Sequence, residues 1–185
     1  MRRFARITFS VVSILLVAAV VLQLYFAGMG VFSDPTDELF AIHGWNGRIV
    51  LPLLILLTLV FAALAKAGRR TVWLSALLIG LLILQTLIFV ITGLIFGIGP
   101  ETPHPPLAAT MMVSLHPVNG LAILWVSIVV ARRAYSLAFG AARRAELGAV
   151  GAAASTVDMP VTDAAPAAVP TEQAPRLPVA GSSTP

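Results

Sequence analysis

No cysteine occurs anywhere in the 185 residues, which excludes a disulfide framework, a thiolate metal site and a cysteine nucleophile. Charge is nearly as scarce. Asp, Glu, Lys and Arg together make up 11% of the chain, where an ordinary soluble domain carries about a quarter, while 58% of residues are hydrophobic and the mean hydropathy is +0.95. That balance excludes a soluble globular domain and points to an integral membrane protein. The net charge of +4 and pI near 10.7 do not point to nucleic acid, because the arginines gather at the ends of apolar runs and form no solvated face. Carboxylate pairs, nucleophile–base pairs and Gly-rich phosphate loops are also missing from the apolar part, so catalysis without a cofactor is not expected.

What is present is four long apolar runs. They predict membrane spans over about 7–31, 39–65, 72–98 and 107–131. The first run is longer than the apolar core of a secretory signal, about 7–15 residues, and is read as a retained helix. Arg2, Arg3, Arg6, Lys66, Arg69, Arg70, Arg132, Arg133, Arg143 and Arg144 flank one set of helix ends, whereas Asp34, Asp37, Glu38 and Glu101 lie in the two loops at the other. By the positive-inside rule both termini are cytoplasmic, in a multi-pass plasma-membrane protein. The expected fold is all-α, a four-helix bundle of two pseudo-symmetric helix pairs over 1–144. Residues 145–185, rich in Ala and Pro, are expected to form a disordered cytoplasmic tail.

The strongest signal lies in the rarest residues. The chain has three His and two Asn, and two of those His and both Asn fall in one repeated pattern, His43-Gly44-Trp45-Asn46-Gly47 and His116-Pro117-Val118-Asn119-Gly120. His104, between Pro103 and Pro105, reads as a solvated loop residue. In a helix, positions three and four apart share a face, so each His lies above an Asn and a Gly. If helix two opens near Pro35, His43 lies about two turns in, at a depth matching His116. Pro52 and Pro117 each follow closely and predict kinks, by freeing the carbonyls of Arg48 and Val113. Gln23 and Gln85 are the corresponding polar interruptions of helices one and three.

Ionisable side chains inside membrane helices usually face the bundle interior, and an opposed His pair has the ligand chemistry for the axial positions of one haem iron. On that reading His43 and His116 hold a b-type haem for electron transfer, and Gly44, Gly47 and Gly120 leave room for the macrocycle. Asn46, Asn119, Gln23 and Gln85 orient the imidazoles or bind propionates, with Arg48 within reach. The alternatives are that each His bonds the amide of a neighbouring helix as interhelical glue in a non-enzymatic accessory protein, or that Gln23, Gln85 and Arg48 line the path of a small transporter or channel subunit. Two His without carboxylates are too few for another tight metal centre. A redox or accessory membrane partner is compatible with these readings, and the oligomeric state is open.

The acidic first loop, the His43 motif opening helix two, the basic turn, and Leu115-His116-Pro117-Val118-Asn119-Gly120 opening helix four resemble, over residues 7–135, a family of small four-span proteins of high-GC Gram-positive bacteria (DUF6220-like) with no assigned activity. More distantly, one His on each of helices two and four is similar to one half of haem A synthase and to other membrane b-type cytochromes. That resemblance implies His43 and His116 as axial ligands. The chain departs from the synthase pattern in lacking an acidic residue and Arg beside His43 and a cysteine pair in an outer loop, so oxidative haem chemistry is not implied.

Overall fold

A computed structural model of the chain describes residues 1–99 and 102–155. Four helices account for nearly all of it. α1 spans Arg2–Phe32 and α2 spans Phe40–Leu64. α3 spans Arg69–Phe96, and α4 comes in two pieces, Leu107–Val113 and Leu115–Ser155. Each is long and apolar enough to cross a membrane. The described residues contain no strand.

The first helix ends at a compact acidic turn. The Asp34 carboxylate accepts hydrogen bonds from the Thr36 hydroxyl (2.6 Å) and backbone N–H (2.9 Å), which hold its pKa below the usual carboxylate value. Pro35–Asp37 follows as a single 3-10 turn, and Glu38 takes a left-handed φ of 52°. These breaks delay α2 until Phe40, so His43 sits in its first turn, not two turns in as the position of Pro35 predicts. Helix four also departs from expectation at its far end. It continues to Ser155, through Ala-rich positions that the composition assigns to the tail; Ala is the strongest helix former, and no Pro intervenes before Pro160. The rest of the expected tail, 156–185, lies outside the described residues.

α1 packs against α2 and α4, and α3 packs against the same two, so consecutive helices run antiparallel and α2 faces α4 across the diagonal. The end bearing Arg2, Arg3, Arg6, Lys66, Arg69 and Arg70 is closely filled. Phe9, Leu16, Ile55, Leu78 and Val130 are fully buried there, with Ser10, Ser13, Thr58, Ser75 and Ser127 between them. Small hydroxyl residues let membrane helices approach closely, and Ser13 and Ser75 satisfy their hydroxyls on the carbonyls of Phe9 and Thr71. Leu, Val, Ile and Phe side chains cover most of the outward faces, as a hydrocarbon solvent requires.

One register detail positions the site. Ser75 and Gln85 each lie 62 positions after Ser13 and Gln23, so α3 repeats the spacing of α1 without a slip. Between α2 and α4 there is a slip. His116 and Asn119 lie 73 positions after His43 and Asn46, whereas the buried Ile123, Ser127, Val130 and Ala134 lie 72 after the buried Leu51, Ile55, Thr58 and Ala62. α2 therefore holds one extra residue between its polar motif and its packed face. A π turn over Asn46–Val50 absorbs it, with the Leu51 N–H bonded to the Asn46 carbonyl five residues back. Pro52, without an N–H, follows at once. In α4 the corresponding disruption is a simple break at Ser114, three residues before Pro117.

Candidate functional site

Two hydrogen-bonded clamps meet across the acidic-loop end of the bundle. In the first, Gln23 on α1 donates its amide N–H groups to the backbone carbonyl of His43 (3.1 Å) and to His43 Nε2 (3.2 Å). His43 Nδ1 lies 3.0 Å from the Gln23 carbonyl oxygen. A carbonyl only accepts, so Nδ1 carries the proton and Nε2 the lone pair. Asn46, buried one turn below, donates to the Ala19 carbonyl (3.1 Å) and to Gln23 Oε1 (2.7 Å). Both amide ends of Gln23 are thus engaged.

The second clamp uses the same residue types. Gln85 on α3 donates to the His116 carbonyl (3.0 Å) and to His116 Nδ1 (2.6 Å). Asn119 donates to the Leu81 carbonyl (2.8 Å) and to Gln85 Oε1. The imidazoles differ in one respect. His116 receives at Nδ1, which puts its proton on Nε2, and that nitrogen has no partner among the described residues, while His43 has both nitrogens engaged. The two rings face each other across the diagonal, with centroids 6.1 Å apart and planes at 63°. Phe40 stacks on His43 at 5.0 Å, and Phe89 meets His116 edge-on at 4.8 Å.

Between the clamps opens a cavity of about 1070 Å³. Its walls are mostly apolar, and a volume at the upper end of ligand pockets suits a large, mainly hydrophobic molecule. His43, His116, Gln23, Gln85, Gly47, Gly120 and Arg48 all line it; Asn46 and Asn119 stand behind the glutamines. Every polar residue singled out by the repeated pattern is thus brought to one place. Toward the Arg-rich end Leu16, Leu78, Ile55 and Val130 fill the bundle below the cavity that Gln23, Gln85 and Arg48 line.

Arg48 leaves the π turn and folds back so that its Nε donates to the Gly44 carbonyl (3.2 Å). A Cβ on Gly44 would stand 2.8 Å from its guanidinium, and one on Gly47 would stand 2.8 Å from the Gln23 amide nitrogen; glycine is what admits both side chains. Around Gly120 there is open space. His104 is exposed in the α3–α4 loop, apart from the cavity. No group of three or more His, Cys, Asp or Glu side chains is placed to hold a bare metal ion among the described residues. Phe40 and Phe89 escaped the sequence reading. Their signal was spacing: Phe40 is three residues before His43, and Phe89 four after Gln85, each one helical turn away.

Residues 23–93 match the model of a family of unknown function, DUF6220. The matched stretch holds Gln23, His43 and Asn46 of the first clamp and Gln85 of the second, and ends before His116 and Asn119. The similarity to this family supports a membrane protein of unassigned activity. No curated protein and no solved structure matches the chain.

Proposed function

We propose that the protein is a plasma-membrane carrier of one b-type haem, with His43 and His116 as axial ligands near the outer face and both termini cytoplasmic. The observation that carries this reading is the 6.1 Å between the two imidazole centroids. A metal–imidazole nitrogen bond is about 2.0–2.1 Å, so two rings that share one metal on opposite sides have centroids roughly 6 Å apart. An apolar cavity, an Arg on its wall and ring-stacking phenylalanines fit the macrocycle and its propionates. When bound, haem supplies a one-electron ferric/ferrous couple.

The chain's own groups prepare the ligands. The Gln23 carbonyl holds the proton of His43 on Nδ1 and leaves Nε2 as the donor atom, the usual arrangement of a metal-binding imidazole. For Nε2 to hold a metal, Gln23 would give up its donation to that atom and could keep the one to the His43 carbonyl. His116 would offer Nε2 to a metal only with its proton on Nδ1, and that tautomer would give up the hydrogen bond Gln85 donates to Nδ1. Electron transfer suits the site better than oxidative chemistry, since the chain has no cysteine and the described residues lining the cavity include no carboxylate.

A second reading is favoured by one observation: both nitrogens of His43 are already hydrogen-bonded. On that reading the clamps are interhelical glue in an accessory membrane protein. An absorbance spectrum of protein purified from haem-replete cells separates the two. A Soret band with bis-His character, lost in His43→Ala and in His116→Ala, is expected; colourless protein overturns the haem reading in favour of the clamp.

A further inference from the structure

At the opposite end of the bundle, the start of α3 is electrostatically inverted. Helix N-termini favour acidic side chains, because the unpaired N–H groups of the first turn carry partial positive charge. Here the first two helical residues are Arg69 and Arg70, the first turn holds no acid, and the N-cap is Gly68, which has no side chain to cap with and a φ of 86°. α4 brings more positive charge to the same place. Arg133, half-buried, donates from Nη1 to the hydroxyl of the buried Thr71 (3.4 Å), and Arg132 lies beside it. Together with Ser136, Ala67 and Leu137 these residues line a cleft of about 400 Å³ between α3 and α4.

Among the described residues no carboxylate is paired with this charge. Asp34, Asp37 and Glu38 stand at the other end of the bundle, and no ion pair occurs among the described residues. Glu146, on α4 itself, lies 13 positions beyond Arg133, about 20 Å along a helix that rises 1.5 Å per residue. The cleft's depth is marked by Trp73 and Tyr135, both exposed, the residues that gather where hydrocarbon meets headgroups. Two guanidinium groups, two hydroxyls and apolar flanks at that depth match a phosphate joined to acyl chains.

We propose that this cleft binds the headgroup phosphate of an anionic phospholipid, with Arg132 and Arg133 as charge partners and Thr71 and Ser136 as hydroxyl contacts. The site is independent of the histidine cavity.

The full chain, delipidated in neutral detergent, is titrated with short-chain phosphatidylglycerol, short-chain phosphatidylcholine and inorganic phosphate, with bound lipid read by native mass spectrometry. Phosphatidylglycerol is expected to bind, and Arg132→Gln/Arg133→Gln to weaken it by roughly tenfold or more, since each basic contact to an anionic surface contributes ~1 kcal/mol. Ser136→Phe, which fills the cleft from an exposed position and leaves both arginines in place, is expected to do the same; it keeps the test decisive if the double variant misfolds. Arg2→Gln/Arg3→Gln is the control and should bind as wild type does. Equal binding of phosphatidylcholine, equal weakening by the control, or phosphatidylglycerol binding untouched by Ser136→Phe would each overturn the proposal. Competition by inorganic phosphate at millimolar concentration would overturn its lipid part and leave a soluble-phosphate site.

Discussion

Gly47 and Gly120 hold equivalent places in the two motifs, yet their surroundings predict opposite responses to an added methyl group. In Gly47→Ala the new Cβ lies 2.8 Å from the Gln23 amide nitrogen, so the amide must shift and loosen its hold on His43. A loss of about 1 kcal/mol is expected, within the range of interhelical hydrogen bonds in membranes. Gly120→Ala meets nothing within 4 Å and should be neutral to within ~0.5 kcal/mol. Reversible unfolding in mixed micelles measures both, and equal effects would show that the two glycines are not distinguished as the clamps require. Asn46→Ala and Asn119→Ala each remove two donations, including the one that locks the neighbouring glutamine, and should each cost about 1 kcal/mol in the same assay. The identity of these residues was legible in the sequence, because His, Asn and Gln are conspicuous against a leucine-rich background. Their tautomers were not. Which ring nitrogen receives a proton depends on where the amide of another helix arrives, and that is a property of packing.

Helix α2 shows what a single residue can change at the scale of an element. The π turn over Asn46–Val50 lets the polar motif keep its place while the packed face below keeps its own. Deletion of Ile49, an exposed residue inside that turn, should convert it to α-helix and bring α2 into the register of α4, with stability changed by no more than ~1 kcal/mol. Deletion of Leu121 has no such turn to absorb it. Everything beyond it rotates by about 100°, Ile123, Ser127 and Val130 leave the core, and folded protein should be lost. Helical content and monodispersity in detergent check the pair; intact protein from the second deletion would refute the register argument. Pro52 and Pro117 announced irregular backbone in both helices, but not its form. A missing N–H is compatible with a kink, a break or a π turn, and the neighbouring helices choose among them. The delayed start of α2 had a local cause, the Asp34–Thr36 bonds. Because these bonds lower the Asp34 pKa, whatever order they confer is present above the unfolded carboxylate pKa, near 3.9, and is lost as pH falls through the lower folded value. Hydrogen exchange of the Thr36 amide should therefore be insensitive to pH-driven loosening between pH 5 and 8, beyond the intrinsic chemical rate.

For the whole molecule the decisive arrangement is the diagonal. Consecutive helices pack side by side, so each Gln–His–Asn clamp closes within one helix pair, and only the meeting of α2 with α4 brings the two imidazoles to the same cavity. The absence of cysteine makes orientation easy to test. Asp37→Cys and Arg69→Cys introduce single thiols at opposite ends, and on the proposed topology a membrane-impermeant maleimide labels the first and not the second in intact cells. The reverse pattern would invert the proposed orientation and leave the fold as it stands. The sequence by itself determined the number of apolar helices, the clustering of basic residues at one set of ends, and the rare polar residues available for a site, because each follows from local composition and spacing against the demands of a hydrocarbon solvent. Only the tertiary structure decided that the histidines oppose each other, that a π turn reconciles two registers, and that an uncapped helix start meets two arginines in a cleft. Those outcomes depend on how side chains from separate helices share one interior.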